Sequence, residues 1–222
     1  MTTAEKKYTV ITADIVDSRH LSTGILNTIP EKLAILNQDL KPLIPAALFS
    51  GDEIQMIFTG KIEFISVILK LGMIFQPMQL RAGVGHDVVD LPLPNLISEA
   101  RGPAFIAARQ ALDKAKQQGY IAWVNSGELS DNHDLDHDDQ LIRQVNAHFL
   151  TLSALTQRWN TKTWRRFSLY YRERSIQKVA IAEHVSPEAI NKSLHTAGIR
   201  YVIQVLDLLN NFNGNKSTIR VE

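Results

Sequence analysis

The sequence has no cysteine, which removes disulfides, thiolate metal sites and cysteine nucleophiles from consideration. Long apolar runs are also missing: "FISVILKLGMIF", residues 64–75, is interrupted by Lys70 and is far shorter than the roughly 20 residues that span a bilayer. A membrane partner is therefore not expected. The opening "MTTAEKKYTV" lacks the apolar centre and small-residue cleavage site of a secretory signal, so the expected location is cytoplasmic. Neither charge dominates, with 24 Lys and Arg against 23 Asp and Glu. The balance hides a division. Residues 1–157 hold 13 Lys and Arg and 18 Asp and Glu, whereas residues 158–222 hold 11 and 5. An acidic front and a basic tail point to two domains with different partners, and a polyanion is the natural partner of the second.

What the chain does contain is ordinary for a globular protein: 222 residues, 45% of them apolar, enough for one large domain or two modest ones. Tyr8–Ile15 is rich in β-branched residues and reads as a strand, and apolar residues at Ile25, Ile29, Leu33, Leu36 and Leu40 have helical spacing. In "AALFSGDEIQMIFTG" two short apolar runs flank Ser50-Gly51-Asp52, a hairpin signal. A helix over Ile62–Phe75, a strand over Met78–Val89, a helix over Gly102–Gly119 and a strand at "YIAWV" complete the order βαββαβαβ. That order predicts an α+β protein whose residues 1–125 form a ferredoxin-like, palm-type sheet with helices. Residues 126–140, "SGELSDNHDLDHDDQ", read as an acidic linker, the pair His133 and His137 included. Residues 141–212 read as an all-α domain, and 213–222 as a tail.

Two aspartates mark ends of the first strand and the hairpin. Pairing of adjacent strands would bring Asp14 and Asp52 together, and two close carboxylates repel unless a divalent cation lies between them. Taken singly, each residue has a plainer reading: Asp14 as a turn or capping residue, Asp52 as the polar tip of a hairpin, and Arg109 as the partner of Asp113 on one helix face.

In the tail, "SIQKVAIAEHVSPEAINKSLHTAG", residues 175–198, has the spacing of a helix-turn-helix. Ala180 takes the small crossing position, Val179, Val185, Ile190 and Leu194 the buried ones, and His184 the turn. Ser186 caps a second helix over about Pro187–Ala197, with Pro187 in its first turn. Asn191, Lys192, Ser193 and His195 are its polar side chains, and Arg174 and Lys178 lie close behind, so duplex DNA is the expected partner. Trp159, Trp164, Phe167, Tyr170 and Tyr171 are interleaved with the cations, either for the nucleic acid or for the domain's own core. An ordinary helical hairpin used for dimerisation is the plainer alternative.

The segments "ITADIVDSR", "SGDEIQMIF", "LRAGVGHDV" and "GPAFIAARQAL" occur in the order and approximate spacing seen in class III nucleotidyl cyclases and related palm domains. With the tail included, the whole chain resembles the SatD family of bacterial proteins. The resemblance implies Asp14, Asp52 and the Ile15 carbonyl as ligands of Mg²⁺ or Mn²⁺, and Arg109 as the catalytic arginine that stabilises charge on a transferring phosphate. Arg81 begins the strand that corresponds to the glycine-containing region of cyclases and is the expected nucleotide contact there. Ser18 and Arg19 are not the residues with which a cyclase shapes its triphosphate loop, but both can touch phosphate, and the analogy with palm cyclases and helix-turn-helix proteins implies a homodimer. Phe105 stands where cyclases carry an asparagine, and "LFSGD" has no adenine-reading lysine, so cyclase activity is not the first expectation. The expected function is a DNA-binding regulator whose first domain binds a nucleotide or a metal. The alternatives are a Mg²⁺-dependent nucleotidyl cyclase or transferase and a protein-interaction scaffold.

Overall fold

The computed structural model describes residues 6–49, 51–60, 62–90, 95–126 and 137–212. It is an α+β protein that divides into two compact units, Met1–Ser153 and Ala154–Glu222. Unit 1 is built on β1 (Tyr8–Ile15), a strand dry on both faces and so suited to the centre of a sheet. After α1 (Thr23–Leu26) and α2 (Ile29–Leu40) come β2 (Ile44–Phe49) and β3 (Glu53–Thr59). They are followed by α3 (Phe64–Ile74), β4 (Leu80–Asp87), α4 (Pro103–Gln118) and β5 (Ala122–Ser126). The strand order is β2-β3-β1-β4-β5. Its first four strands are antiparallel to their neighbours, in the order of a ferredoxin-like βαββαβ fold, and β5 adds parallel to β4 through the α4 crossover.

Small residues decide where α4 sits. A β-carbon at Gly83 would lie 2.1 Å from the Ala108 carbonyl oxygen, and one at Gly85 2.0 Å from that of Ala104. Only bare backbone on β4 lets a helix with Ala104, Ala108, Ala111 and Ala115 on its buried face come this close. The closeness matters for the site, because α4 then carries Arg109 and Lys116 over the end of the sheet.

The predicted single helix over Ile25–Leu40 is two helices. Pro30, in the first turn of α2, has no N–H to continue a ladder from α1, and the Thr28 hydroxyl closes the gap onto Ile25 O at 2.7 Å. On α3, Lys70 is buried with Asp39 4.0 Å away, and that burial pushes its ammonium pKa down, with Asp39 partly opposing. Lys32 ends the same helix by donating to Ile74 O and Gln76 O, both at 2.8 Å.

Both sheet edges are closed by an asparagine side chain acting as a short piece of strand. Asn37 accepts from Ala46 N at 2.6 Å and donates to Ala46 O at 3.1 Å, at the irregularity in β2. Asn146 does the same for Val124 of β5, at 2.8 and 2.9 Å. Such edges otherwise present unpaired backbone to other chains. Asn146 belongs to α5 (His137–Thr156), and Ser153 of the same helix accepts from Ile121 N at 2.9 Å. The first unit therefore extends through this helix to Ser153, beyond the boundary at 125 and the helical-domain start at 141 expected from composition. His133 and most of the acidic linker lie outside the described residues.

Unit 2 holds the last turn of α5 with α6 (Thr161–Glu173), α7 (Ile176–Glu183), α8 (Pro187–Thr196) and α9 (Ile199–Phe212). Each of α6, α7 and α8 starts at a side-chain cap, Asn160, Ser175 and Ser186 respectively, whose oxygen accepts a first-turn N–H. Arg174 and His184 take left-handed backbone angles, with φ of 51° and 54°, and turn the chain between helices. Val179, Ala180, Ile190, Leu194, Ile199, Val202 and Leu206 are buried. Among the described residues no helix is long and apolar enough to cross a membrane.

Candidate functional site

The antiparallel register sets Asp14 of β1 directly opposite Glu53 of β3 on one side and Arg81 of β4 on the other. Opposed side chains share a face, so two carboxylates and a guanidinium stand side by side at one end of the sheet. Carboxylates opposed in this way repel each other, and α4 supplies the compensation. Lys116 Nζ lies 2.9 Å from Asp14 Oδ1 and 3.7 Å from Glu53 Oε1, while Arg109 pairs with Glu53 Oε2. The Glu53 side chain is 8% exposed, so its charge depends on those partners. On the hairpin, Asp52 accepts a hydrogen bond from the Ser18 hydroxyl. Of the residues predicted for the site, Asp14 and Arg109 are thus joined in one network and Arg81 stands at its border, while Ser18 and Asp52 form a pair of their own. Ile15 is buried at the end of β1, and Arg19 is exposed and makes no contact with this group among the described residues.

Carboxylate oxygens suit Mg²⁺ and Mn²⁺, but these are already engaged by protein donors. Among the described residues no three His, Asp or Glu side chains are grouped to hold a metal ion. A divalent cation between Asp14 and Glu53 would have to take the position of the Lys116 ammonium. If the ammonium stayed, a doubly charged ion about 4 Å from it would meet a repulsion of about 8 kcal/mol at an effective dielectric of about 20. The resting arrangement does not fit a resident divalent ion, and Lys116 serves the pair as a built-in counterion. Accordingly, Mg²⁺ or Mn²⁺ at millimolar concentration should leave the melting temperature of the wild-type protein unchanged. Lys116→Met should lower it and make it recover on addition of Mn²⁺. A saturable Mn²⁺ stabilisation of the wild type that disappears in Asp14→Ala would restore the two-aspartate metal site.

Glu53 and Lys116 are the two members of this network that pattern reading misses. Glu53 becomes visible only once β3 is registered against β1. Lys116 lies two helical turns beyond Arg109, a spacing that places both on one side of α4. The Arg109–Asp113 pair is not what forms, for Arg109 turns to the buried Glu53 instead.

In unit 2 the predicted nucleic-acid residues separate into engaged and available side chains. Arg174 is held by both Asp207 oxygens at 2.8 Å and lies over the Tyr171 ring. Lys178 reaches Glu173 at 3.1 Å, and hydrogen bonds from Arg172 and Lys178 hold the Glu173 carboxyl below its ordinary pKa. Arg165 and Arg166 converge on Glu183, at 2.8 and 3.3 Å. Asn191 accepts from Arg200 at 2.7 Å. Lys192 and His195 remain exposed on α8, with Ser193 half-buried between them. Val185, expected in the core, is exposed beside the turn, because the left-handed His184 swings the chain outward before Ser186 caps α8.

Solved structures similar to the chain include a bacterial light-regulated adenylyl cyclase, at 12% identity over 55% of this chain and 75% of that one, with a TM-score of 0.39. Another is the active GGEEF domain of a diguanylate cyclase from Vibrio cholerae, at 16% identity over 56% and 85%, with a TM-score of 0.36. A regulator of polyketide synthase expression from Bifidobacterium adolescentis aligns over 96% of this chain and 88% of its own, at 12% identity and a TM-score of 0.24. No curated protein sequence matches. Residues 8–208 match the SatD family, a span that takes in nearly all of both compact units, and the chain belongs to that family.

Proposed function

We propose that the protein is a DNA-binding regulator in which α7 and α8 act as a helix-turn-helix and α8 enters the major groove. The observation that carries this reading is the arrangement of α8. Ile190 and Leu194 bury one side of it, Ser186 caps its start, the left-handed His184 sets its angle to α7, and Asn191, Lys192 and His195 are exposed. A helix with its side chains is about 10–12 Å across and fits a groove about 12 Å wide, and the ten residues of α8 extend about 15 Å along it. Arg200 fixes the Asn191 oxygen and leaves its amide group as a donor. Two copies acting as a symmetric pair would read half-sites about one helical turn apart. In this reading unit 1 is the sensing part: Arg81, Arg109 and Lys116 supply three cations at one sheet end, and nucleotide phosphates would compete with Asp14 and Glu53 for them.

The test is binding of the full chain to labelled duplex DNA, followed by fluorescence anisotropy. Binding should be clear at about 50 mM salt and fall steeply by about 200 mM, as phosphate contacts release counterions. Asn191→Ala should relax sequence preference by about 1–3 kcal/mol at one position. No affinity for any duplex at about 50 mM salt ends the DNA reading and leaves the helix pair as a dimerisation element.

A further inference from the structure

Beside α8 lies an open groove of about 970 Å³, contained within unit 2. Its polar walls include Arg158, Lys192 and His195 together with Gln157 and four hydroxyl side chains, Thr163, Ser193, Thr196 and Tyr201, and none of its lining residues is Asp or Glu. Its floor includes Trp159, buried and tied by its indole N–H to Ala197 O at 2.8 Å. Gly198 opens it, turning from α8 into α9 with φ of 67°.

Five cations of this unit are engaged by three carboxylates: Arg165 and Arg166 share Glu183, Arg172 and Lys178 share Glu173, and Arg174 pairs with Asp207. Arg158 and Lys192 form no ion pair among the described residues, and both face this groove. Two of the four described cations of the unit that pair with no carboxylate, Arg158 and Lys192, therefore lie in this acid-free concavity, while Lys162 and Arg200 lie outside its lining. Three hydroxyls, from Ser193, Thr196 and Tyr201, can donate to phosphate oxygens there, whereas that of Thr163 is given to Asn160 Oδ1. Tyr201 is 57% exposed, a large ring whose apolar face is left without cover and suits the edge of a sugar.

We propose that this groove seats one sugar–phosphate strand of the duplex whose bases α8 reads, with Arg158 and Lys192 as its phosphate contacts. The proposal rests on the DNA-binding reading above. A helix in the major groove always has a phosphate strand along its side, and positioning contacts to that strand fix its register. Residues 189, 192, 193, 195 and 196 of α8 line the groove, while Asn191 is not part of its lining and is left to the bases. The same helix can then serve bases with one side and backbone with the other. A closed pocket would suit a small anion, whereas a groove open to solvent admits a continuous strand.

The experiment uses the full chain, a duplex of arbitrary sequence and a salt titration. Arg158→Ala should reduce the slope of log K against log salt by about 0.9 and weaken binding about tenfold at about 0.1 M salt. Arg158→Glu should weaken it further, and Tyr201→Ala should weaken binding without changing the slope. Lys114→Ala, which removes the same charge from unit 1, should change neither quantity. Because the Arg158 side chain is exposed and without an ion pair, circular dichroism melting should show these variants folded. Wild-type affinity and slope in Arg158→Glu would overturn the groove while leaving α8 as the reading helix. Selective loss of mononucleotide binding in that variant, with DNA binding intact, would overturn it in favour of a nucleotide pocket. Absence of DNA binding by the wild type would overturn both proposals.

Discussion

Gly85→Ala should lower the melting temperature of the protein by about 6–12 °C, the shift that about 3 kcal/mol produces in a unit of this size. The reason is backbone against backbone. An alanine β-carbon there would stand 2.0 Å from Ala104 O and 2.5 Å from Ala108 N, and neither atom can rotate away as a side chain could. The whole of α4 would have to lift off β4 to make room. That movement would open the contacts that Val10, Ile57, Ala104 and Ala108 share in the core. Overpacking ordinarily costs about 1–3 kcal/mol, and rigid neighbours put this case at the upper end of that range or beyond. Gly83→Ala should behave similarly, since its β-carbon would meet Ala108 O at 2.1 Å and Leu112 N at 2.2 Å. Gly24→Ala is the internal control. It lies in α1 with open space around it, its nearest neighbour the Ser22 hydroxyl at 4.0 Å, and it should be neutral or stabilising by up to about 1 kcal/mol. Equal melting temperatures for Gly85→Ala and the wild type would mean that α4 does not press on the sheet as described.

The same close approach explains which parts of the molecule pattern reading could reach. Strands announce themselves through β-branched residues, and α4 through proline at its start and a left-handed glycine, Gly119 with φ of 71°, at its end. Their order predicted an α+β sheet. Gly83 and Gly85 look like interruptions in a strand until the helix above them is placed. The break at Pro30 was written in the sequence, yet the apolar spacing continued across it and masked it. The boundary between units, after Ser153, lies close to the change of charge at Arg158, whereas the element pattern alone places the end of the first domain at 125. α5 is held to the sheet by Asn146 on the backbone of β5 and by Ser153 on Ile121 just before it, and single polar side chains on a helix leave no periodic trace.

The candidate site shows a related limit. Asp14, Asp52, Ser18, Arg81 and Arg109 could be singled out because strand ends and motif spacing mark them. Their partners could not, since Glu53 and Lys116 acquire meaning only from register and helix placement. Charge counting met a similar difficulty in unit 2. It measures how many cations are present but not how many are already engaged, and Glu173, Glu183 and Asp207 between them hold five of the cations around α6 and α7.

Of the aromatic residues between those cations, Trp159, Trp164 and Phe167 belong to the core of unit 2 while Tyr170 and Tyr171 are half-buried, and Phe167→Ala should destabilise that unit by about 3–5 kcal/mol. Phe167 is fully buried, with ring centroids 5.2 Å from Trp159, 5.9 Å from Trp164 and 6.1 Å from Tyr171. Trp159 and Trp164 meet edge to face at 5.0 Å, so removal of the phenyl ring takes the common neighbour from both indoles. Whole domains are stable by only about 5–15 kcal/mol, and a unit this small should fall toward the lower end. The loss would therefore consume much of its stability. Tryptophan fluorescence during urea unfolding reads it directly in a Trp123→Phe background, where Trp159 and Trp164 are the only remaining indoles. Duplex binding should fall with the folded fraction and recover with lower temperature or a stabilising osmolyte, which separates it from the loss in Arg158→Glu. A Phe167→Ala protein that unfolds at the wild-type urea concentration would remove the aromatic cluster from the core and return those rings to a binding surface.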